Sequence, residues 1–196
     1  MIPERKHMIV CAEAVEHAAD QLGWDQHPVL GFVRHVGAGL IVGEYPAQPA
    51  WIHPENPVVG LQALADAVMK HAADSRRRLT EHGLTGFGDD ICAFWFCCEA
   101  RIVDDGKEIE GMAALHNPAA KEARQVFVVD CAGRIYQVNR HRGRDRVETV
   151  VIEPGAGEHL RYGEEIALAL RRLLLGAGTN MSTGAIDMEK VAQVGE

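Results

Sequence analysis

The sequence predicts an α+β domain in which an antiparallel β-sheet meander of about five to six strands packs against two or three helices. Three observations favour this class. Apolar residues recur at helical spacing near both ends of the chain and after residue 56, β-rich runs lie between them, and Gly-containing turns separate consecutive runs. Strands that follow one another through short turns pair antiparallel, because parallel pairing needs a long crossover connection.

The first helix is predicted over about His7–Leu22. Gly23 then provides a C-terminal cap, and Pro28 prevents the helix from continuing. A strand is expected over Val29–Val36, with a second short strand at Leu40–Val42 after a glycine turn. The apolar stripe of the helix is Met8, Cys11, Ala12, Val15, Ala19 and Leu22.

A proline-rich stretch follows these two strands. The four prolines from Pro46 to Pro57 indicate an extended connector. Asn56 and Pro57 are typical of a helix start, with Asn at the N-cap and Pro in the first turn. We expect this second helix to run to about His82.

The run Ile91–Val103 is the strongest strand candidate. Its first half is apolar at every position and its second half at alternate positions, so we expect burial on two faces and then on one. Asp104-Asp105-Gly106 indicates a turn, and Glu108–Leu115 is expected to return as the partner strand. One face is predicted to carry Cys92, Phe94, Phe96, Cys98, Ala100 and Ile102.

The next segment begins with the same helix-start chemistry. Asn117-Pro118 predicts a short helical turn through Arg124. Strands are then expected over Gln125–Asp130, Arg134–Arg140 and Arg146–Ile152, with a glycine turn between the first two.

A final helix is predicted over about Glu164–Leu175, with Gly176 as its cap. Its stripe is Ile166, Ala169, Leu170, Leu173 and Leu174. Residues 1–176 are therefore expected to form a single α+β domain, and residues 177–196, which are small and polar, a flexible C-terminal tail.

Charge and cysteine content restrict the function classes. The formal net charge of −8 argues against nucleic-acid binding and against an anionic membrane surface, both of which need clustered Lys and Arg. The five cysteines form no CxxC pair and lie mostly in an apolar run, which indicates buried thiols in a reducing, cytoplasmic environment.

Two segments resemble a group of small uncharacterised actinobacterial proteins. Gln21–Pro28, QLGWDQHP, is similar to that group's LGWDQPP element, with His27 at its first proline. The second segment runs from His116-Asn117-Pro118 through Glu122-Ala123-Arg124 to Asp130 and Gly133–Tyr136. It resembles the group's HPDR…EVR…D-G-R-Y pattern, with Asn117 where the group has Pro. The resemblance implies a cytoplasmic actinobacterial or actinophage protein, and it brings no catalytic assignment because the group has no established activity.

His116, Glu122 and Asp130 are the candidate catalytic residues. A His and a carboxylate on either side of a helical turn could transfer a proton or hold a metal. The structural alternative is that Asn117 caps this turn while Glu122 and Arg124 pair with neighbouring charges. No HExxH, GxSxG or P-loop pattern supports the catalytic interpretation.

An Arg-rich turn is the candidate binding site. Arg140, Arg142, Arg144 and Arg146 lie close together, and Arg124 precedes them on an earlier element. Guanidinium groups bind carboxylates and phosphates, so this cluster could recognise an acidic partner protein or one phosphate group. The alternative is a solvated hairpin tip that protects a sheet edge from aggregation.

The sequence gives less support to a metal site or to a site built on cysteine thiols. The histidines are scattered and no two lie four residues apart on a predicted helix, so we expect no metal site and no cofactor. Cys97 and Cys98 are adjacent in a strand and should point to opposite faces, which favours core packing over shared ligation.

Two function classes remain open, together with a question of assembly. The first is a non-catalytic, cytoplasmic module that binds a partner protein through the Arg turn or the tail. The second is a small hydrolase that uses His116 with Glu122 or Asp130. Self-association through sheet edges is a third possibility that is compatible with either class.

Overall fold

A computed structural model describes residues 2–45, 57–70, 90–102, 120–155, 160 and 163–177. The elements within these ranges are α1 (Arg5–Leu22), β1 (Val29–Val36), β2 (Gly39–Glu44), α2 (Pro57–Lys70), β3 (Ile91–Ile102), β4 (Lys121–Asp130), β5 (Ile135–His141), β6 (Val147–Ile152) and α3 (Glu164–Gly176). The connector at 46–56, the end of the second predicted helix, the Asp104–Gly106 turn and the tail from 178 onwards lie outside the described residues.

The six strands form one open antiparallel sheet in the order β2-β1-β3-β4-β5-β6. β3 to β6 are a meander of neighbouring strands, and the β1–β2 hairpin joins the sheet through β1, which pairs with β3. The hairpin turns at Gly37, whose φ of +59° is a conformation that side-chain-bearing residues rarely adopt. The predicted α+β class is therefore confirmed.

Helices cover both faces of this sheet. On one face α1 packs over an apolar layer made by Val33, Trp95, Cys97, Val126, Val128, Tyr136 and Val138. On the other face α2 and α3 pack over Leu30, Phe32, Phe94, Phe96, Phe127, Val129 and Ile135. This two-sided cover explains why the first eight residues of β3 are all buried, as the continuous apolar run predicted.

The predicted helical stripes are largely confirmed. All five stripe residues of α3 are buried, and α1 buries Met8, Cys11, Ala12 and Val15. Leu22 is the exception, because it is 71% exposed in the last turn of α1. At the junction of α2 and α3, a Cβ on Gly176 would lie 2.6 Å from Val68, so the glycine permits the close approach of these helices.

A β-bulge corrects the predicted facing of Cys92. The register between β1 and β3 shifts after Val33, which pairs with Ala93, because Arg34 then pairs with Ile91. Cys92 is the extra residue, and a bulge turns neighbouring side chains to the same side. Cys92 therefore packs with Ala93 in the layer beneath α1, and not with Phe94 as the alternation predicted.

The sequence predicted a helical turn from Asn117 through Arg124, and this prediction is wrong for residues 121–124, which the structure describes as a strand. Glu122, Ala123 and Arg124 belong to β4, which pairs with β3 from Lys121 onwards. Long-range pairing of charged side chains across the strands outweighs the local helix-start signal of Asn117-Pro118. The predicted partner strand at Glu108–Leu115 lies outside the described residues, and both sides of β3 are occupied by β1 and β4.

None of the helices described is both long enough and apolar enough to cross a membrane.

Candidate functional site

The candidate site is a layer of charged side chains on the α1 face of the sheet, where the apolar layer ends. β3, β4 and β5 each continue this face with polar residues. Across β3 and β4, Glu99 lies opposite Arg124 and Arg101 lies opposite Glu122. These opposite-charge pairs follow directly from the sequence alternation once the register of the strands is set.

Arg124 also lies opposite Arg140 on β5, which places two like charges side by side. The carboxylate of Glu16 on α1 lies between the two guanidinium groups and offsets their repulsion. Arg140 donates from Nε to one carboxylate oxygen of Glu16 at 2.6 Å and from Nη2 to the other at 2.7 Å. These hydrogen bonds raise the pKa of Arg140. The same carboxylate lies 3.7 Å from Nη1 of Arg124.

Arg124 is the most enclosed charge of the layer. Its side chain is 1% exposed, although it contacts three carboxylates: Glu99 at 3.2 Å, Asp20 at 3.6 Å and Glu16. It also donates to the backbone carbonyl of Gly23. A buried cation requires such compensation, because its desolvation otherwise costs several kcal/mol.

Trp24 completes the enclosure of Arg124. The guanidinium carbon lies 4.6 Å from the centre of the indole ring, within the range of a cation–π contact. Trp24 follows Gly23, which has a φ of +88° and ends α1 as the sequence predicted. The turn that stops the helix therefore also delivers the aromatic ring to the charged layer.

Arg142 lies at the solvent-exposed rim of the same ring, 5.5 Å from its centre. Its guanidinium donates to both carboxylate oxygens of Asp25, at 3.1 and 3.3 Å, and to Glu122 at 2.6 Å. Hydrogen bonds to Glu122 and then to Asp25 raise the pKa of Arg142. The Arg142 side chain remains 43% exposed.

Asp25 has an unusual backbone conformation. It is the only residue other than glycine with a positive φ, +66°, in the described part of the chain. Its backbone N–H donates to Glu99 on β3 at 2.8 Å, while its side chain binds Arg142. Two attachments to the sheet hold this conformation, which is rare for a residue with a side chain.

The two sequence segments on which the predicted resemblance rests meet in this layer. Trp24 and Asp25 come from the first segment, and Glu122 and Arg124 come from the second. No protein-family model, curated protein or solved structure matches the chain. The resemblance stays a prediction that rests on the two segments themselves.

The predicted arginines divide into three groups. Arg124 and Arg140 are directed into the protein and are held by carboxylates of α1. Arg142 lies at the rim with Trp24. Arg144 and Arg146 are exposed in the β5–β6 turn, and neither side chain forms an ion pair with any residue in the described ranges.

The candidate catalytic carboxylates do not converge. Glu122 and Asp130 lie near opposite ends of β4, so roughly 27 Å of strand separates them. Glu122 is bound to Arg142. His116, which the sequence suggested as their partner, lies outside the described residues.

Asp130 organises the turn between β4 and β5. It accepts hydrogen bonds from Tyr136 Oη at 2.9 Å, from Arg134 Nε at 2.7 Å and from the backbone N–H groups of Ala132 and Arg134. Burial raises the pKa of Asp130, and Arg134 opposes that effect. The side chain is fully buried, and its hydrogen bonds fix the turn.

The five cysteines are buried and unpaired with one another. Burial raises the pKa of both Cys92 and Cys97 to about 12 and raises that of Cys98 further, so their thiolate forms are disfavoured. Cys97 and Cys98 pack on opposite faces of the sheet, which confirms the prediction of core packing. Across the described ranges, no group of three or more His, Cys, Asp or Glu side chains is arranged to hold a metal ion.

The carboxylates of α1 were missed from the sequence. Glu16 is 1% exposed, although it is not among the candidate site residues that the sequence indicated. A signal was present, because Glu16 and Asp20 are four residues apart beside the buried stripe of α1. An acidic pair at that position predicts a basic partner on the surface that the helix covers.

Proposed function

We propose that this protein is a non-catalytic, cytoplasmic module that binds an acidic partner protein through its Trp24–Arg142 surface. We use this name for the half-buried Trp24 together with five exposed residues: Asp25, Glu122, Arg142, Arg144 and Arg146. The five free cysteines support a reducing compartment, because disulfides form readily elsewhere.

The contact of one indole ring with both a buried and an exposed arginine carries this proposal. Arg124 fixes Trp24 from the protein side, and Arg142 extends along the ring toward solvent. Trp and Arg are the residues most enriched at the energetic centres of protein interfaces. Because Asp25 and Glu122 already immobilise Arg142, a partner would lose little side-chain entropy by contacting it.

The charge of the turn supports an acidic partner. Arg142 is neutralised by its two carboxylates, whereas Arg144 and Arg146 make no ion pair with a described residue. We infer that these two exposed guanidinium groups bind carboxylates at the edge of an interface, where charges mainly accelerate association and select the partner.

Affinity capture from the organism that encodes the protein tests the proposal. The full chain, its R144E/R146E variant and a K6E/K70E control are compared at near-physiological salt. Lys6 and Lys70 are exposed and lie on α1 and α2, outside the β5–β6 turn. Both variants change the net charge by the same amount.

We expect the wild type and the control to retain one partner stoichiometrically. R144E/R146E should bind that partner at least about tenfold more weakly, and the wild-type affinity should fall with added salt. Equal binding by R144E/R146E and wild type would contradict the proposed surface. Failure of the wild type to retain any stoichiometric partner would contradict the proposed function.

A further inference from the structure

β2 forms one edge of the sheet, and its hydrogen-bonding pattern shows which residues face outwards. Tyr45 donates its backbone N–H to the carbonyl of Leu30 at 2.8 Å. In an antiparallel pair, hydrogen-bonded positions alternate, so the odd-numbered residues of β2 bond to β1. The backbone N–H and C=O groups of Leu40, Val42 and Glu44 therefore point away from β1.

Among the residues that the structure describes, this edge has little of the usual protection against strand pairing, because its one charged residue, Glu44, lies at the end of β2. Residues 39–43 contain no charged residue and no proline. Three large apolar side chains around the hairpin are exposed: Val36 at 46%, Ile41 at 44% and Val42 at 37%. At the opposite edge the exposed charge lies near the start of the strand, since Glu148 is the second residue of β6 and Arg146 immediately precedes the strand.

We propose that the β2 edge pairs antiparallel with β2 of a second copy of this chain, around a twofold axis at Val42. In this register Val42 lies opposite the partner's Val42, and Leu40 lies opposite the partner's Glu44. All three outward-facing residues then pair, and each pair can exchange two backbone hydrogen bonds. A shift by two residues in either direction would leave at least one of them opposite the hairpin turn or beyond the strand.

Side chains fit the same register. Ile41 lies opposite the partner's Gly43, where the missing side chain leaves room for its branched chain. A Cβ at Gly43 would lie 2.8 Å from the ring of Phe32, so that ring already covers the glycine and gives Ile41 of the other copy an apolar contact. This contact occurs twice, as an isologous interface requires.

The charges of the edge also favour this register. Each Glu44 faces an apolar leucine of the other copy, and the two Glu44 side chains are about 13 Å apart along the strands. A register that placed Glu44 opposite the partner's Glu44 would bring like charges together, and only the ends of the two β2 strands would pair. This register thus pairs the outward-facing backbone groups and keeps the like charges of the two copies apart.

Sedimentation of the full chain over a range of concentrations tests the interface. Strand pairing alone gives an interface at the small end of specific contacts, so we expect a monomer–dimer equilibrium that shifts with concentration. V42K places two ammonium groups side by side at the axis and should remain monomeric. V150K makes the same change at an exposed valine on the β6 edge and should dimerise like the wild type.

Engineered cysteines test the register independently. Two V42C residues at the axis would have Cα atoms about 5.5 Å apart, within disulfide range, whereas two I41C residues would be diagonal neighbours about 7–8 Å apart. With oxidised glutathione, the two V42C thiols lose two protons and two electrons to form one disulfide, and the oxidant is reduced to two glutathione thiols. We expect V42C to cross-link at least ten times faster than I41C.

Three results would overturn the proposal. The first is a wild type that stays monomeric at every concentration, and the second is loss of the dimer in V150K to the same extent as in V42K. The third is equal cross-linking of I41C and V42C, which would place the contact in another register.

Discussion

Glu16 and Arg140 are 124 residues apart in the sequence, and they form a bidentate ion pair beneath α1. The carboxylate is 1% exposed and the guanidinium is 12% exposed. Because Glu16 also lies beside Arg124, it is the anion that allows two neighbouring arginines to occupy adjacent strands.

We predict that E16Q destabilises the fold by about 3 kcal/mol, because it leaves two enclosed guanidinium groups with reduced compensation. Urea unfolding followed by circular dichroism measures this change. E13Q is the matched control on the same helix, since the described partner of Glu13 is the hydroxyl of Thr149, and it should cost about 1 kcal/mol or less. Equal losses in the two variants would show that the charge of Glu16 is unimportant.

We predict that R124K is destabilising although it conserves the charge. Lysine lacks the planar fork that places Nη1 beside Glu16 and Asp20 while Nη2 contacts Glu99 and Gly23, and it cannot stack on Trp24 in the same way. The expected loss is about 2 kcal/mol in the free energy of unfolding. R144K changes the same residue type in the exposed turn and should alter stability by less than about 0.5 kcal/mol. An R124K protein as stable as R144K would contradict the role assigned to the guanidinium.

Stability should decrease in alkaline solution because of the buried thiols. The pKa of Cys92 and Cys97 is raised from 9.0 to about 12 in the folded state. Above pH 9 the unfolded chain therefore releases protons that the folded chain retains. Each such thiol should lower the free energy of unfolding by about 1.4 kcal/mol per pH unit, up to its folded-state pKa.

Urea titrations between pH 8 and pH 10.5 under reducing conditions measure that slope. C97A removes one thiol, so its slope above pH 9 should be shallower by about 1.4 kcal/mol per pH unit, whatever the variant's stability at pH 8. An unchanged slope would mean that Cys97 ionises as readily in the folded protein as in the unfolded chain.

Gly31 should not tolerate alanine. A Cβ there would lie 2.1 Å from the ring of Trp95 and 2.4 Å from the backbone oxygen of Gly43, and the backbone oxygen has little freedom to move. We expect G31A to lower the free energy of unfolding by about 3 kcal/mol. G39A is the control in β2, because the nearest atom to its Cβ would be 3.8 Å away. Similar stabilities for G31A and G39A would refute this steric account.

Much of the architecture could be predicted from local patterns. The predicted strand Val29–Val36 has the same bounds as β1. The stripe of α3 and most of the stripe of α1 match the buried residues, because periodicity records which side faces the core. The start of β4 could not be predicted in this way. Asn117-Pro118 gave a local helix signal, whereas the strand depends on register with β3 and β5.

The candidate site was predicted only in part, for the same physical reason. Arg124, Arg140 and Arg142 were recognisable as a cluster of charge, but their carboxylate partners lie on α1, on the following loop and on other strands. Nothing in the local sequence specifies which carboxylate each arginine meets. The bulge at Cys92 was equally inaccessible, since it depends on how β1 and β3 align.

The long separation between Glu16 and Arg140 also bears on how the protein is made. At ribosomal rates of about 5–20 residues per second, roughly 6–25 s pass between the synthesis of the acidic end of α1 and that of its partner on β5. During that interval the apolar stripe of α1 has no completed sheet to cover. The residues of α1 are therefore synthesised well before the strands that bury their apolar side chains, and those side chains stay exposed in the nascent chain until β5 arrives.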